Sequence, residues 1–280
     1  MKRLLTCIAL TFTLLGKQNS LEFVFVVPSY NNAKYARWNL ESLINQRTTN
    51  SSYSIIVVND CSRDTTGQIL EDFKKEHGLS DSFLKIIHNP IRIGALANIY
   101  ATIHNHCKNH QIVVLVDGDD ALPHNNIIKR LEKEYAQDIW MTYGQFIFFP
   151  CWPTGRQWGT TYEIDHEDQV NKNIRSLVYV AQHLRTFKVS LFKKIKKQDL
   201  MLNGSFYQMN ADMAIMIPML EMAAPLTPQS KSRSLFIPDI MYIYNCGNPI
   251  NDHKVDESLQ ISLEEVIRAI PPYNPLKTLG

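Results

Sequence analysis

Residues 111–120 read QIVVLVDGDD, an unbroken apolar run that ends in three aspartates within four positions. A strand with one wet face alternates apolar and polar residues, so five apolar residues in a row from Ile112 to Val116 describe a strand covered on both faces. Two earlier stretches have the same character, residues 22–28 (EFVFVVP) and 53–59 (YSIIVVN), and residues 83–88 form a shorter third. Between them the apolar spacing changes to that of helices. Leu40, Leu43 and Ile44 mark one over 33–46, and Ile69, Leu70 and Phe73 another over 65–77. Leu96, Ile99, Tyr100 and Ile103 mark a third over 94–108, and a fourth spans 125–136. Strands alternating with helices of this length give right-handed βαβ units and a mostly parallel sheet, hence an α/β fold. Ligands of such sheets bind beyond the carboxyl ends of the strands. The polar residues sit at those ends here: Pro28-Ser29-Tyr30-Asn31-Asn32, Asn59-Asp60 and Asp117-Gly118-Asp119-Asp120.

The second half is less regular. A long strand is expected over 139–150, then an aromatic loop punctuated by Gly and Pro over 151–168. An apolar helix over 207–222 carries Asp212 and Glu221. A strand over 235–245 is bent or broken at Pro238, and the tail after Asn248 is polar and Pro-rich. No repeat or linker divides the chain, so residues 21–280 are expected to form one domain.

With 280 residues, 45% of them hydrophobic, the chain can bury a sizeable core. A formal charge of +2 gives no field to recruit nucleic acid. Residues 1–20 stand apart: Lys2 and Arg3 precede an apolar run that ends at Gly16. This is the shape of a signal peptide or a membrane-touching segment, and it is too short to span a bilayer. The location is secretory or membrane-associated if that segment is a true signal, and cytoplasmic otherwise. Cys7, Cys61, Cys107, Cys151 and Cys246 share no CxxC spacing, which argues against zinc and against a disulfide framework. The sequons at Asn50 and Asn203 matter only in a secretory lumen.

Asp117-Gly118-Asp119-Asp120 is the strongest chemical signal. Carboxylates one residue apart, just past a buried strand, place hard oxygen ligands around one point, as Mg²⁺ or Mn²⁺ requires. Such a cation can bridge a diphosphate and neutralise the charge that develops as it leaves. Asp60, ending the second strand, is placed to accept hydrogen bonds from a nucleobase imide and ribose. Asp64 can serve the following helix as its N-terminal carboxylate.

Val27-Pro28-Ser29-Tyr30-Asn31, Val58-Asn59-Asp60-Cys61-Ser62-Arg63-Asp64-Thr65-Thr66 and Val116-Asp117-Gly118-Asp119-Asp120 resemble the motifs of family 2 glycosyltransferases, in the same order and spacing. The resemblance implies a GT-A type, Rossmann-like three-layer sandwich with a mostly parallel central sheet. It also implies an inverting, hexosyltransferase-like enzyme that uses a nucleotide sugar. Residues 21–125 would then be the nucleotide-sugar-binding half and 126–280 the acceptor-binding half. By resemblance, Pro28, Tyr30 and Asp60 contact uridine, Asp117 reaches the ribose, and Asp119 holds a divalent metal, Mn²⁺ or Mg²⁺, on the diphosphate. Asp120 supports either. Arg92 and Gly94 line the donor pocket, although the arginine that the family often carries near Ala97-Asn98 is missing. In the second half Asn210-Ala211-Asp212 opens a helix as the family's acidic base does, making Asp212 the candidate that deprotonates an acceptor hydroxyl.

Three further residues are candidates by chemistry and place. His183 and Arg185 could bind acceptor hydroxyls or donor phosphate. In other metal-dependent GT-A enzymes a late histidine completes the metal shell, which makes His253 a candidate ligand, and Lys254 could balance diphosphate charge. The expected partners are a UDP-sugar and a glycan, lipid or protein acceptor. An alternative is a non-catalytic member that binds a nucleotide sugar or glycan, but acidic residues stand at every motif.

Overall fold

A computed structural model describes residues 20–150, 155 and 157–280, without the side chain of His253. The leader expected at the N-terminus and Trp152 of the aromatic loop lie outside the described residues. The first half runs β1 (Glu22–Ser29), α1 (Ala36–Ile44), β2 (Ser52–Asn59), α2 (Thr66–Glu76), β3 (Leu84–His88), α3 (Ala95–His106), β4 (Ile112–Leu115) and α4 (Ile127–Tyr135). The second half continues with β5 (Met141–Phe149), α5 (His166–Val170), β6 (Arg185–Lys188), α6 (Val189–Phe192) and the short pair β7 (Met201–Leu202) and β8 (Ser205–Phe206). It ends with α7 (Ala211–Ala223), β9 (Ser234–Asn245), α8 (Asp252–Val255) and α9 (Glu257–Ala269). Among the described residues no helix is long and apolar enough to cross a membrane.

Seven strands form one sheet in the order β3-β2-β1-β4-β6-β5-β9. β1 lies parallel between β2 and β4, while β6 runs antiparallel to both of its neighbours, β4 and β5. The period of two along β1 divides the core. Val24 and Val26 face a cluster with Leu96, Ile99 and Ile103 of α3 and the apolar residues of α7. Phe23, Phe25 and Val27 face the other side, with Leu40 and Leu43 of α1, Leu70 and Phe73 of α2 and Leu131 of α4. Both faces of the central strands are therefore dry, which is why their sequence does not alternate.

Two elements differ from the sequence reading. β6 is an element the sequence does not announce, because four residues carry no period that separates a strand from a turn. The polar tail contains α9, which buries Leu263 and Ile267 and is capped by Asp256, whose carboxylate accepts the Leu259 N–H at 2.9 Å. The bend at Pro238 is a slip in the β5–β9 register, where Gly144 pairs with Ile237 and Gln145 with Ile240. Proline has no N–H for the ladder, so the strand skips past it.

Candidate active site

The ends of β1, β2 and β4 are tied together by backbone bonds. The Gly118 N–H donates to Pro28 O at 3.0 Å, and the Asp60 N–H to Ser29 O at 2.8 Å. Position 118 must be glycine, since a Cβ there would stand 2.6 Å from both Cβ and Oγ of Ser29. That close approach sets Asp117 and Asp119 beside Ser29 and Asn32.

The three aspartates of the turn have separate environments. Asp120 is fully buried, and both its oxygens are engaged: Oδ2 accepts from the Tyr242 hydroxyl at 2.6 Å and Oδ1 from the Asn245 N–H at 2.7 Å. The same Tyr242 oxygen accepts the Asp117 N–H at 3.0 Å, and the Asn39 amide donates to the carbonyls of Asp117 and Asp120. Asp120 is thus the bracket that fixes the turn against β9. Asp119 accepts one bond on Oδ2, from the Asn248 amide at 2.6 Å. Its carboxyl is pushed up to about 6, first by burial and then by Asp117, against the opposing effect of Asn248. Burial raises Asp117 as well, with Asp212 adding to it and Arg185 opposing. A desolvated pair of carboxylates crowding one another is the environment a divalent cation relieves.

Asp117, Asp120 and His183 bring ligand-type atoms within 4.8 Å of one another. The bonding of His183 argues against that residue as a ligand. Each Asp120 oxygen accepts one bond and keeps a lone pair. His183 Nε2 lies 3.0 Å from Arg185 Nη2. An arginine can only donate, so Nε2 accepts and the proton sits on Nδ1. The ring, 4% exposed and stacked on Tyr242 at 4.2 Å, then offers no lone pair to a metal. Burial and Arg185 hold His183 well below the ordinary histidine range, so it is neutral. Asp117, Asp119 and Asp120 keep carboxylate lone pairs that suit a cation; the His253 side chain lies outside the described residues.

On the donor side, Asp60 is 3% exposed and accepts three bonds: Asn89 Nδ2 at 2.8 Å, the Ile93 N–H at 2.9 Å and the Gly94 N–H at 2.8 Å. Burial alone would raise its pKa, but these donors outweigh it and the carboxyl lies below its ordinary value. A carboxylate has about four lone-pair directions, so roughly one stays open for a ligand. Gly94 holds φ +90°, which lets the chain turn its N–H onto Asp60 and start α3. The Arg92 guanidinium lies 3.9 Å from the Tyr30 ring centre, joining the loops after β1 and β3. Pro28 is buried in β1. Asp64 accepts the Thr66 N–H at 3.0 Å at the start of α2, as expected of it.

The second half of the chain meets this crevice through Asp212, in the first turn of α7, and Arg185, whose Nη2 is 3.4 Å from Asp212 Oδ2. Asp252 is pushed up to about 6 by loss of solvation and then by Asp212 and Asp117. His183 and Arg185 are both buried, Arg185 as the first residue of β6 and His183 just before it. The Lys254 ammonium donates to Cys246 O at 2.5 Å and Asn248 O at 3.1 Å, closing the loop after β9. Tyr242, Asn39 and Asn245 went unnoticed in the sequence. Each sits in an ordinary helix or strand pattern, and only the fold brings it to the aspartates.

A family model described as "Glycosyl transferase family 2" matches residues 24–196, more than half of the chain. Poly(ribitol-phosphate) beta-N-acetylglucosaminyltransferase TarS of Staphylococcus aureus is 37% identical over 65 residues, 23% of this chain and 11% of that protein. Minor teichoic acid biosynthesis protein GgaA of Bacillus subtilis is 28% identical over 104 residues, 37% of this chain and 22% of that protein. Both matches thus span only a small part of the relatives' own length. Among solved structures, S. aureus TarS in complex with UDP superimposes with a TM-score of 0.57 at 19% identity, over 82% of this chain and 61% of that one. The mannosyltransferase PcManGT from Pyrobaculum calidifontis, in complex with GDP-Man and Mn²⁺, gives 0.51 at 16% identity, over 81% and 57%. At such identities the likeness is one of fold, and the fold is the GT-A type expected from the motifs.

Proposed function

The chain belongs to glycosyl transferase family 2, and on that premise we propose that it moves a sugar from a UDP-sugar to an acceptor hydroxyl by an inverting single displacement. The observation that carries this reading is the meeting of Asp117 and Asp119, from the first half of the chain, with Asp212 and Asp252, from the second. That the related fold is occupied by UDP in one neighbour and by GDP-Man with Mn²⁺ in another supports the donor side.

Asp60 accepts the base imide, Tyr30 and Arg92 flank the base, and Asp117 takes the ribose. Asp119, with His253, would hold a Mn²⁺ or Mg²⁺ ion, which when bound neutralises the charge of the departing diphosphate. Asp212 accepts the proton of the acceptor hydroxyl as its oxygen attacks the anomeric carbon and the bond to the diphosphate breaks. A positioned base contributes typically about 10²–10⁴-fold. Purified protein is tested against a panel of UDP-sugars for metal-dependent UDP release, in the wild type and in Asp212→Asn. The expected result is a loss of turnover of about that order with UDP affinity kept. Near-normal turnover in the variant would move the base elsewhere, and loss of UDP binding would place Asp212 in the donor site.

A further inference from the structure

The buried Arg185 has no part in the mechanism above. We propose that it is a positioning residue, which fixes the carboxylate of Asp212 through Nη2, the same nitrogen that His183 holds. The inference rests on Asp212 as the base.

Topology brings Arg185 to the crevice. β6 runs antiparallel to β4, so its beginning, not its end, lies beside the end of β4, with Arg185 paired to Leu115. The Arg185 side chain is 7% exposed and that of Asp212 is 25% exposed. This gradient puts the cation behind and the carboxylate in front, toward solvent and an incoming hydroxyl. A guanidinium keeps its charge when buried, so it must be met by anions. Its charge is felt on both sides of the crevice, by Asp212 and by Asp117.

The same chain supplies a comparison. Arg175 and Glu221 form a closed structural pair: Nε and Nη2 donate to the two carboxylate oxygens at 2.6 and 2.9 Å, and Nη1 donates to Ile267 O at 2.6 Å. Arg185 differs in each respect. Its contact to Asp212 is single and long at 3.4 Å, and its buried Nε has no hydrogen-bond partner. A buried donor left unspent calls for a reason. An ion pair with slack is what a base needs when its bonds must tighten as substrate excludes water. His183, at 3.0 Å from Nη2, holds the guanidinium in place behind Asp212.

The test compares Arg185→Met, Arg185→Lys, Asp212→Asn and the double variant Arg185→Met with Asp212→Asn. UDP release is followed with whichever UDP-sugar turns over fastest, UDP affinity with Mn²⁺ is measured by calorimetry, and folding is checked by thermal unfolding. Arg185→Met is expected to lower kcat by about 10–100-fold, as loss of an orienting partner does, with UDP affinity within about threefold of wild type. Arg185→Lys keeps charge without the fork and should recover part of the loss; it carries the test if the Met variant fails to fold. The double variant should be no slower than Asp212→Asn alone, because the arginine acts through the aspartate. Losses that multiply, a wild-type kcat in Arg185→Met, or UDP affinity weakened tenfold or more would each overturn the proposal. Wild-type turnover in Asp212→Asn would instead remove the base assignment, whatever the arginine variants do.

Discussion

Asp119 allows a quantitative expectation about metal binding. Its carboxyl is pushed up to about 6 by burial and by Asp117, from an ordinary value near 4. Without metal the folded protein therefore keeps a proton on Asp119 until the pH rises through about 6, whereas a cation needs the carboxylate. The proton competes, so affinity is full above about pH 7 and falls as pH falls through about 6. For one competing proton the apparent dissociation constant scales as one plus the ratio of protonated to ionised carboxyl. Between about pH 7.5 and about pH 5 that factor rises from about 1 to about 11. Calorimetric titration of UDP in the presence of Mn²⁺ should thus weaken by about tenfold over this interval, and by more where Asp252, also pushed up to about 6, titrates with it. Asp119→Asn should lose at least about a hundredfold in Mn²⁺-dependent UDP affinity, and its remaining affinity should be flatter with pH. Unchanged Mn²⁺-dependent affinity in Asp119→Asn, or wild-type affinity equal at both pH values, would refute Asp119 as the desolvated ligand.

Other expectations follow from single contacts. Asp60→Ala should weaken UDP binding by about tenfold to a hundredfold, a charge-assisted bond of roughly 1.5–3 kcal/mol, and an unchanged dissociation constant would sink the base-reading role. It should also loosen the loop that Asp60 holds through the Ile93 and Gly94 amides, seen as faster hydrogen exchange there. Tyr242→Phe strips a hydroxyl that serves both Asp120 and the Asp117 amide, so urea unfolding should show a loss of about 2–4 kcal/mol; under about 1 kcal/mol would mean the bracket is not strained by its removal. Gly118→Ala puts a Cβ against Ser29 and should abolish Mn²⁺-dependent UDP binding, and Ser29→Gly in the same chain should restore part of it.

The donor half was open to reading along the chain because its physics is local and serial. Buried parallel strands write continuous apolar runs, helices write a period near four, and ligand residues fall where each strand stops, as at Asp60 and Asp117. The order of residues alone therefore yielded the α/β class, the three strand ends and the crevice they share. The second half of the chain was not open in this way. The four residues of β6 are too few to show a period, and its antiparallel entry between β4 and β5 is a property of the sheet. From the sequence Arg185 was a candidate for acceptor hydroxyls or donor phosphate, and Asp120 a support for Asp117 or Asp119. The structure gives Asp120 that support in detail: it is held by Tyr242 and Asn245, over a hundred residues away along the chain, while Asp119 faces Asn248. Lys254 was a candidate by its charge, and only the fold brings two of its three donors to the carbonyls of Cys246 and Asn248. The sequence could say which residues are able to hold a cation, a base or a proton. Which of them keep that capacity depends on bonds made across distant segments, and only the tertiary structure decides those.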